Sequence, residues 1–520
     1  MLKIKLILFL ICPLFLTASC SSDEQDDDKT VERNTQTGCS IKQEQIQNEL
    51  NQLENIAGGD VLISQQYYLE KIEASQAWEK GYTGKNVVVG INEAGFELTH
   101  EDLGKNVSLD NSMNFNTNCL DIYNSQHGTS VAGIIAAVGD NSKGVKGVAH
   151  NSKLAALSSD FSFEGLVNSF SFKGLESNSI SIINNSWGPA DYLGNLSVGQ
   201  LPDLIFTKME EHIKSGRDGK GLIYLVAAGN GKWKEGHYSD NSNYDNLTNS
   251  IYTIPICSVD SQSEVSSFSE HGANILVCGY GKKITSTDSL NAYTNSFSGT
   301  SAASPMVAGV IALMLEANSN LTWRDVNLVL AESATQHNHD ETGDIDEKTG
   351  WSVGSTKIHD PSENYMFHHG YGFGVINANK AVSIARNWTS VGGFSLLKTC
   401  EFTASRLTVE AGNLRNTNIN ALNCSISKIE FIEITVTVTG VKNFGNLAID
   451  LRHVSTGRTS VLSEFHRCTE SDSSCELNDW TFNSMKHLGD SPSGVWSLDV
   501  ENKDSVAAEV SKFHIKFYGR

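Results

Sequence analysis

The chain changes texture once along its length, and that change constrains its fold more than any other feature. From about residue 60 to 390, short apolar runs alternate with helical stretches rich in Ala, Gly and Ile. Asn86-Val-Val-Val-Gly-Ile91, Ile180-Ser-Ile-Ile183, Gly221-Leu-Ile-Tyr-Leu-Val226 and Ile275-Leu-Val-Cys278 are continuously apolar, as strands buried on both faces are. Strand–helix alternation predicts a parallel sheet with helices on both faces. After Ser390 the period drops to two: Phe431-Ile-Glu-Ile-Thr-Val-Thr-Val-Thr439, Val495-Trp-Ser-Leu-Asp-Val500 and Lys512-Phe-His-Ile-Lys-Phe517 alternate strictly. Half-buried antiparallel strands read this way, so a second, all-β domain, a sandwich or jelly roll, joins near residue 395. Residues 340–364 are acidic and read as a surface insertion, and Gln43–Ile56 as a short helix. Length alone allows two to four domains; the texture narrows this to two.

Three local motifs carry chemistry. In Gln126-His-Gly-Thr-Ser-Val-Ala-Gly-Ile-Ile-Ala-Ala137, a His opens an apolar helical run. A helix N-terminus keeps an imidazole neutral and presents it outward, which suits a general base. In Ser298-Gly-Thr-Ser-Ala-Ala-Ser-Pro-Met-Val-Ala-Gly-Val-Ile-Ala-Leu313, Ser301 sits on a Gly-flanked turn entering a helix with Pro305 in its first turn. Backbone N–H groups there point at any developing oxyanion. In Leu225-Val-Ala-Ala-Gly-Asn-Gly231, a buried strand ends at Asn230, whose amide can donate to the same oxyanion. Singly, these are a structural His, a capping Ser and a turn Asn; their combination is what is specific.

Together with Ile182-Ile-Asn-Asn-Ser-Trp-Gly-Pro-Ala-Asp191, Asp245-Asn-Leu-Thr-Asn-Ser-Ile-Tyr252 and His369-Gly-Tyr-Gly-Phe-Gly-Val-Ile376, they make the chain resemble the subtilisin-like serine proteases, the subtilase family. The finer resemblance is to the kexin/furin-like proprotein convertase branch. Gly445-Asn-Leu-Ala-Ile-Asp-Leu451, Asn478-Asp-Trp-Thr-Phe482 and Pro492-Ser-Gly-Val-Trp496 look like its C-terminal P domain (Homo B). The resemblance implies a subtilisin-like, doubly wound α/β domain at 57–390 and a jelly-roll-like P domain at 395–520. It implies a serine endopeptidase in which Ser301 attacks, His127 moves the proton and Asn230 stabilises the oxyanion.

The family's acid is an Asp at the end of the first strand. Here that segment is Asn92-Glu-Ala-Gly95, so the acid falls on Glu93, one methylene longer. A working Ser-His-Glu triad competes with a catalytically weak or silent lipoprotein that binds basic peptides. The resemblance also assigns substrate contacts to Ser186 and Gly188, and a preference for a basic P1 residue to Asp191 and Asp245. The positions that carry P2 and P4 acids in furin-like enzymes read Ala94, Asn124, Ser169 and Ser197, which implies little demand for a multibasic site. Two Ca²⁺ sites are implied: Asp60, Asp102 and Asn141 with the carbonyls of Val138, Val145 and Gly147, and separately Asp191, Asp240 and Glu270. Oxygen-only, carboxylate-rich sets are what Ca²⁺ takes.

Sixty acidic against 39 basic residues give a net charge of −21, which argues against nucleic acid as a partner. Residues 1–20, MLKIKLILFLICPLFLTASC, read as an export signal: Lys3 and Lys5, an apolar run from Leu6 to Leu16, then small residues before Cys20. Leu16-Thr-Ala-Ser-Cys20 resembles a bacterial lipobox, which implies lipidation at Cys20 and anchoring in the cell envelope; without lipidation the protein is secreted. Residues 21–56 form a polar tether. About 40 residues lie between Cys20 and Asp60, too few for the folded pro-domain usual in the family, so either none is needed or a separate chaperone assists. Of ten cysteines, Cys12 and Cys20 lie in the signal, leaving eight for up to four disulfides. Cys468–Cys475 closes a local loop, Cys400–Cys424 and Cys257–Cys278 flank strand-like segments, and Cys39–Cys119 is the remaining pair; other connectivities stay open.

Overall fold

The computed structural model describes residues 27–54, 57–175, 179–197, 201–232, 240–337, 349–468 and 475–520. The signal with Cys20, and the acidic run Asp340–Asp346, lie outside these. The β-strands of the first region are β1 (Val88–Glu93), β2 (Met113–Asn114), β3 (Lys153–Ser158), β4 (Ile182–Asn185), β5 (Ile223–Ala227), β6 (Thr253–Val259) and β7 (Val277–Tyr280). They form one seven-stranded parallel sheet in the order β2-β3-β1-β4-β5-β6-β7. Its central strands are buried throughout, which is why they read as apolar runs. The chain leaves β1 toward one edge and returns with β4 on the other side. The carboxyl ends of β1, β4 and β5 therefore meet at a topological switch point, where open α/β sheets bind ligands.

Helices α1 (Asp27–Gln52), α2 (Tyr67–Lys71), α3 (Ala74–Glu79), α4 (Gln126–Ala136), α5 (Phe163–Phe170), α6 (Asp203–Gly219), α7 (Thr300–Ala317), α8 (Trp323–Ser333) and α9 (Ala378–Asn387) accompany the sheet. α7 is long and apolar enough to cross a membrane, but it is the buried central helix, packed on α4, α9 and β4 to β7. α1 starts 16 residues before the predicted helix start at Gln43 and ends at Gln52 rather than 56. The Cys39–Cys119 disulfide ties its middle, and near its end Leu50 and Leu53 close on Gly104. Hairpin β8 (Ile284–Asp288) and β9 (Ala292–Phe297) lies against α4. The segment expected to be a surface insertion carries β10 (Ser352–Thr356), which forms a second hairpin with β11 (Asn364–Phe367). Buried Tyr365 and Phe367 anchor it, apolar residues outweighed in the sequence by the acids around them.

Strands β12 (Lys398–Thr403), β13 (Leu407–Val409), β14 (Leu414–Ala421), β15 (Ile429–Thr439), β16 (Leu447–His453), β17 (Thr459–Ser463), β18 (Trp480–Ser484), β19 (Gly494–Asn502) and β20 (Ala508–Gly519) form the antiparallel region. One sheet runs β12-β20-β15-β18 with β13 also on β20, and the other runs β14-β19-β16-β17. Between them the alternate residues of β15, β19 and β20, with Trp496 at 0% exposure, make the second core. Cys39–Cys119, Cys257–Cys278, Cys400–Cys424 and Cys468–Cys475 are all bonded.

The two regions share their cores. Phe431, Met485, Leu488 and Tyr518 belong to the α/β core, while Leu196, Tyr244 and Ala273 belong to the β core. At the junction the fully buried Arg324 of α8 makes a two-pronged ion pair with Glu430 of β15, Nε–Oε2 2.7 Å and Nη2–Oε1 2.6 Å. Its Nη1 donates to the carbonyls of Val391, Gly392 and Gly393, and Arg520 adds a third bond to Glu430 at 3.0 Å.

Candidate active site

Glu93 is the last residue of β1, and His127 is the second residue of α4. Ser125 caps that helix by accepting from the Gly128 N–H at 3.3 Å. The turn after β1 touches the helix start so closely that a Cβ on Gly128 would stand 2.0 Å from the Gly95 carbonyl. This contact carries the imidazole to the carboxylate: His127 Nδ1 lies 3.3 Å from Glu93 Oε1. Glu93 is 4% exposed, and Oε1 has no other partner among the described residues. Burial disfavours the imidazolium, but the hydrogen bond and charge of Glu93 outweigh it and raise the His127 pKa above 6.5. The edge of the Phe297 ring, four residues before Ser301, meets the His127 ring at 5.4 Å.

Ser301 opens α7 behind Gly299, whose φ of 125° makes the entering turn. Its hydroxyl donates to the Ser186 carbonyl at 3.0 Å rather than to His127, and the Ser186 hydroxyl returns a 3.0 Å bond to the Ser301 carbonyl. Asn230 follows β5. Its Oδ1 accepts from the Thr300 N–H at 2.9 Å and the Thr300 hydroxyl at 3.0 Å. A backbone N–H can only donate, so this bond fixes the amide orientation and turns Nδ2 away from Thr300. The sequence motifs did not point to Thr300 or to the Ser186 carbonyl as partners.

Ser186, Gly188, Asp191, Asn230, Asp245 and Ser301 line one cavity of about 220 Å³. Asp245 Oδ1 accepts from the Leu247 N–H at 3.0 Å and the Ser197 hydroxyl at 3.2 Å, leaving Oδ2 to face Gly188. Burial pushes the Asp245 carboxyl up to about 6. Asp191 Oδ1 accepts from the Asn230 N–H at 2.9 Å. A second, mostly apolar cavity of about 450 Å³ shares Trp187, Gly188, Pro189 and Asp245 with the first and is closed by Phe161, Leu166, Leu201 and Leu247. Phe161 stands at φ 58°, held there as Asp160 accepts from the Ser162 N–H.

Asp191, Asp240 and Glu270 adjoin beneath the first cavity. Asp240 accepts the N–H groups of Tyr192 and Gly194, and Glu270 Oε1 that of Gly231 at 3.2 Å. Gly229 is required above them: at φ 109°, its Cβ would stand 2.1 Å from Glu270 Oε1. Burial, then the charges of Asp240 and Asp191, push Glu270 well up; burial pushes Asp240 up to about 6. A crowded, oxygen-only set of three carboxylates matches the donor chemistry of Ca²⁺. Among the described residues, however, no three His, Cys, Asp or Glu side chains converge at metal-ligating geometry.

The other expected set is brought together as a hydrogen-bonded knot. Asp60 accepts from the Asp140 and Asn141 N–H groups, Asn141 Nδ2 donates to Asp102 Oδ1 at 2.7 Å, and the Val145 N–H donates to Asp102 Oδ2 at 2.8 Å. The Lys143 N–H takes Asn141 Oδ1 at 2.9 Å, so both ends of that amide are engaged. Val138 binds the Asp102 carbonyl and Gly147 the Ala137 carbonyl through their N–H groups. The three side chains and the loop that carries Val138, Val145 and Gly147 thus stand together, joined by hydrogen bonds.

Residues 84–374 match the Subtilase family, more than half of the chain. The chain belongs to the subtilase family. Residues 429–517 of this subtilase match the proprotein convertase P-domain. It is 31% identical to furin of Rattus norvegicus and 32% identical to kexin of Saccharomyces cerevisiae, each over 88% of its length. It spans 58% and 56% of the length of these relatives. Its fold is that of the serine protease of Aeromonas sobria, at TM-score 0.73, 20% identity, and coverage of 89% of this chain and 96% of that one. The same protease in complex with the chaperone ORF2 aligns at TM-score 0.74, with 20% identity over 89% of this chain and 95% of that one.

Proposed function

We propose that this subtilase is a calcium-dependent serine endopeptidase that cleaves after basic residues, using Ser301, His127 and Glu93. The observation that carries the reading is the Glu93–His127 contact beside the helix that Ser301 opens. The Ser301 hydroxyl swings from the Ser186 carbonyl and attacks the scissile carbonyl carbon as its proton passes to His127 Nε2. Glu93 holds Nδ1–H, fixing the tautomer and the ring. Asn230 Nδ2 and the Ser301 N–H, one of the N–H groups without a partner inside its helix, donate to the oxyanion. His127 then returns the proton to the leaving amine, and water repeats the cycle on the acyl-enzyme. Fluorophosphonate labelling of Ser301 tests this. A folded protein that stays unlabelled establishes the alternative reading, a silent lipoprotein that binds basic peptides.

Asp191 and Asp245 recognise the basic P1 side chain. Replacing Asp245 by Asn is expected to lower the Arg-over-Leu ratio of kcat/KM by about 10²-fold, since a buried charge pair loses one partner. Equal wild-type rates on Arg-P1 and Leu-P1 peptides would remove the pocket assignment. A Leu placed two to four residues before the cleaved bond should favour cleavage and an Asp oppose it, because the adjoining cavity is apolar; no difference refutes that subsite.

Asp191, Asp240 and Glu270 would have to close from their present positions to hold one Ca²⁺, whose positive charge would keep these crowded carboxylates ionised. Ca²⁺ at about 100 times its Kd is expected to stabilise the fold by about 2.7 kcal/mol over chelated protein. Glu270→Gln should abolish that rise in melting temperature; an unchanged wild-type melting temperature in chelator excludes the site.

Four disulfides support an exported protein, and a lipid anchor at Cys20 is proposed with it. Its loss in Cys20→Ala, read by fatty-acid labelling, is the check. A separate folding chaperone is also proposed, as the Aeromonas sobria protease has one; full unaided refolding of the denatured chain would exclude it.

A further inference from the structure

The loop after β17 does more than join two strands of the P domain. His466 lies against both walls of the cavity that holds Asp191 and Asp245. One ring nitrogen, Nε2, faces the Gly194 carbonyl at 3.0 Å, on the wall that begins at Asp191. The other, Nδ1, faces the Tyr244 hydroxyl at 3.3 Å, directly before Asp245, and the Glu464 carbonyl at 2.7 Å. The ring stacks on Tyr244 at 4.9 Å and meets Phe444 at 4.7 Å, while the His466 backbone N–H donates to the Gly445 carbonyl at 3.0 Å. Gly194 stands at φ 63°, and a Cβ there would come 2.8 Å from His466 Cδ2, so the wall and the ring are fitted to each other. Asp240 accepts the Gly194 N–H, so one residue is bound by the P domain through its carbonyl and by the acidic cluster through its N–H.

We propose that His466 is a positioning residue for the P1 cavity: it spans the two loops and sets the separation of Asp191 and Asp245, although it touches no substrate. This rests on the basic-P1 reading above. It assigns to the P domain a share in choosing the substrate, distinct from the support it gives to the fold.

His466→Phe keeps the ring packing on Tyr244 and Phe444 and removes the polar link to Gly194. His466→Gln places an amide donor near the position of Nε2. On Arg-P1 peptides, His466→Phe is expected to raise KM about five- to tenfold with kcat within twofold, the size of one net hydrogen bond loosened. The Arg-over-Leu ratio should fall with it, and His466→Gln should restore most of both. Fluorophosphonate labelling and melting temperature separate this from misfolding, and if His466→Phe fails to fold, the Gln variant is compared with His466→Ala. Unchanged KM and ratio in the folded Phe variant overturn the proposal, as does a fall confined to kcat. A wild-type enzyme that does not distinguish Arg from Leu overturns the basic pocket, and this role with it.

Discussion

Replacing Glu93 by Gln is expected to lower kcat by about 10⁴-fold on an Arg-P1 peptide, the cost of losing the orienting acid in a Ser-His-Asp triad. The amide can present its NH₂ to Nδ1 and so favour the wrong tautomer. The acid limb of the pH–rate profile should move as well. His127 must be neutral to accept the Ser301 proton, and Glu93 raises its pKa above 6.5 against the opposing effect of burial. In wild type, activity therefore rises with pH through a point above 6.5. With the carboxylate gone only burial remains, and the limb moves to lower pH. Glu93→Asp, which recreates the residue usual in the family, is expected to lose activity too. The backbone at Glu93 is paired with Ser158 of β3, β4 holds the strand as far as Ile91, and the helix start is held by Gly95 and Gly128. A side chain shorter by one methylene opens the 3.3 Å contact by about 1 Å, and such a misplacement costs about 10²-fold. Full activity in the Asp variant would show that the pocket around residue 93 is not built for Glu.

Replacing Glu430 by Ala is expected to destabilise the protein by about 3–5 kcal/mol, because it strands the buried Arg324 guanidinium. The drop in melting temperature should be large, roughly 6–20 °C for regions of this size. Arg324→Met with Glu430→Met should recover most of it, since two apolar residues remove both buried charges together. Arg324 also gathers three carbonyls of the connecting segment, so Glu430→Ala loosens the junction as well as the ion pair. A melting temperature within a degree of wild type would mean that the shared cores alone hold the regions together.

Much of this architecture was legible in the chain. Apolar runs at 86–91, 180–183, 221–226 and 275–278 appear within or beside strands of the parallel sheet because burial on both faces leaves no polar alternation. Period-two segments became β15, β19 and β20 because one face of each meets the other sheet. His127, Ser301 and Asn230 stood out because local motifs hold them at the starts of helices or the end of a strand. What stayed hidden depends on pairs distant in sequence. Arg324 and Glu430 are 106 residues apart, and neither has a local signature. His466 and Gly194 are 272 apart. The knot at Asp60, Asp102 and Asn141 turns on the path of the loop at 138–147, which composition does not reveal. The hydroxyl of Ser301 chooses between two acceptors by a rotation that no residue pattern encodes.

β20 is hydrogen-bonded to β12, β13 and β15, so it is the spine of its sheet as well as the last strand of the chain. That sheet cannot close until residues 508–519 are available, and until it closes β15 lacks one of its two partners. β15 in turn holds Glu430 against Arg324 and pairs with β18, whose Asn483 N–H donates to Asn243 Oδ1 on the loop leading to Asp245. The cavity walls thus acquire their full outer brace only once residues 508–519 are in place. Assembly order becomes a form of restraint: until β20 is in place, the framework around Glu93, His127, Asn230 and Ser301 is incomplete.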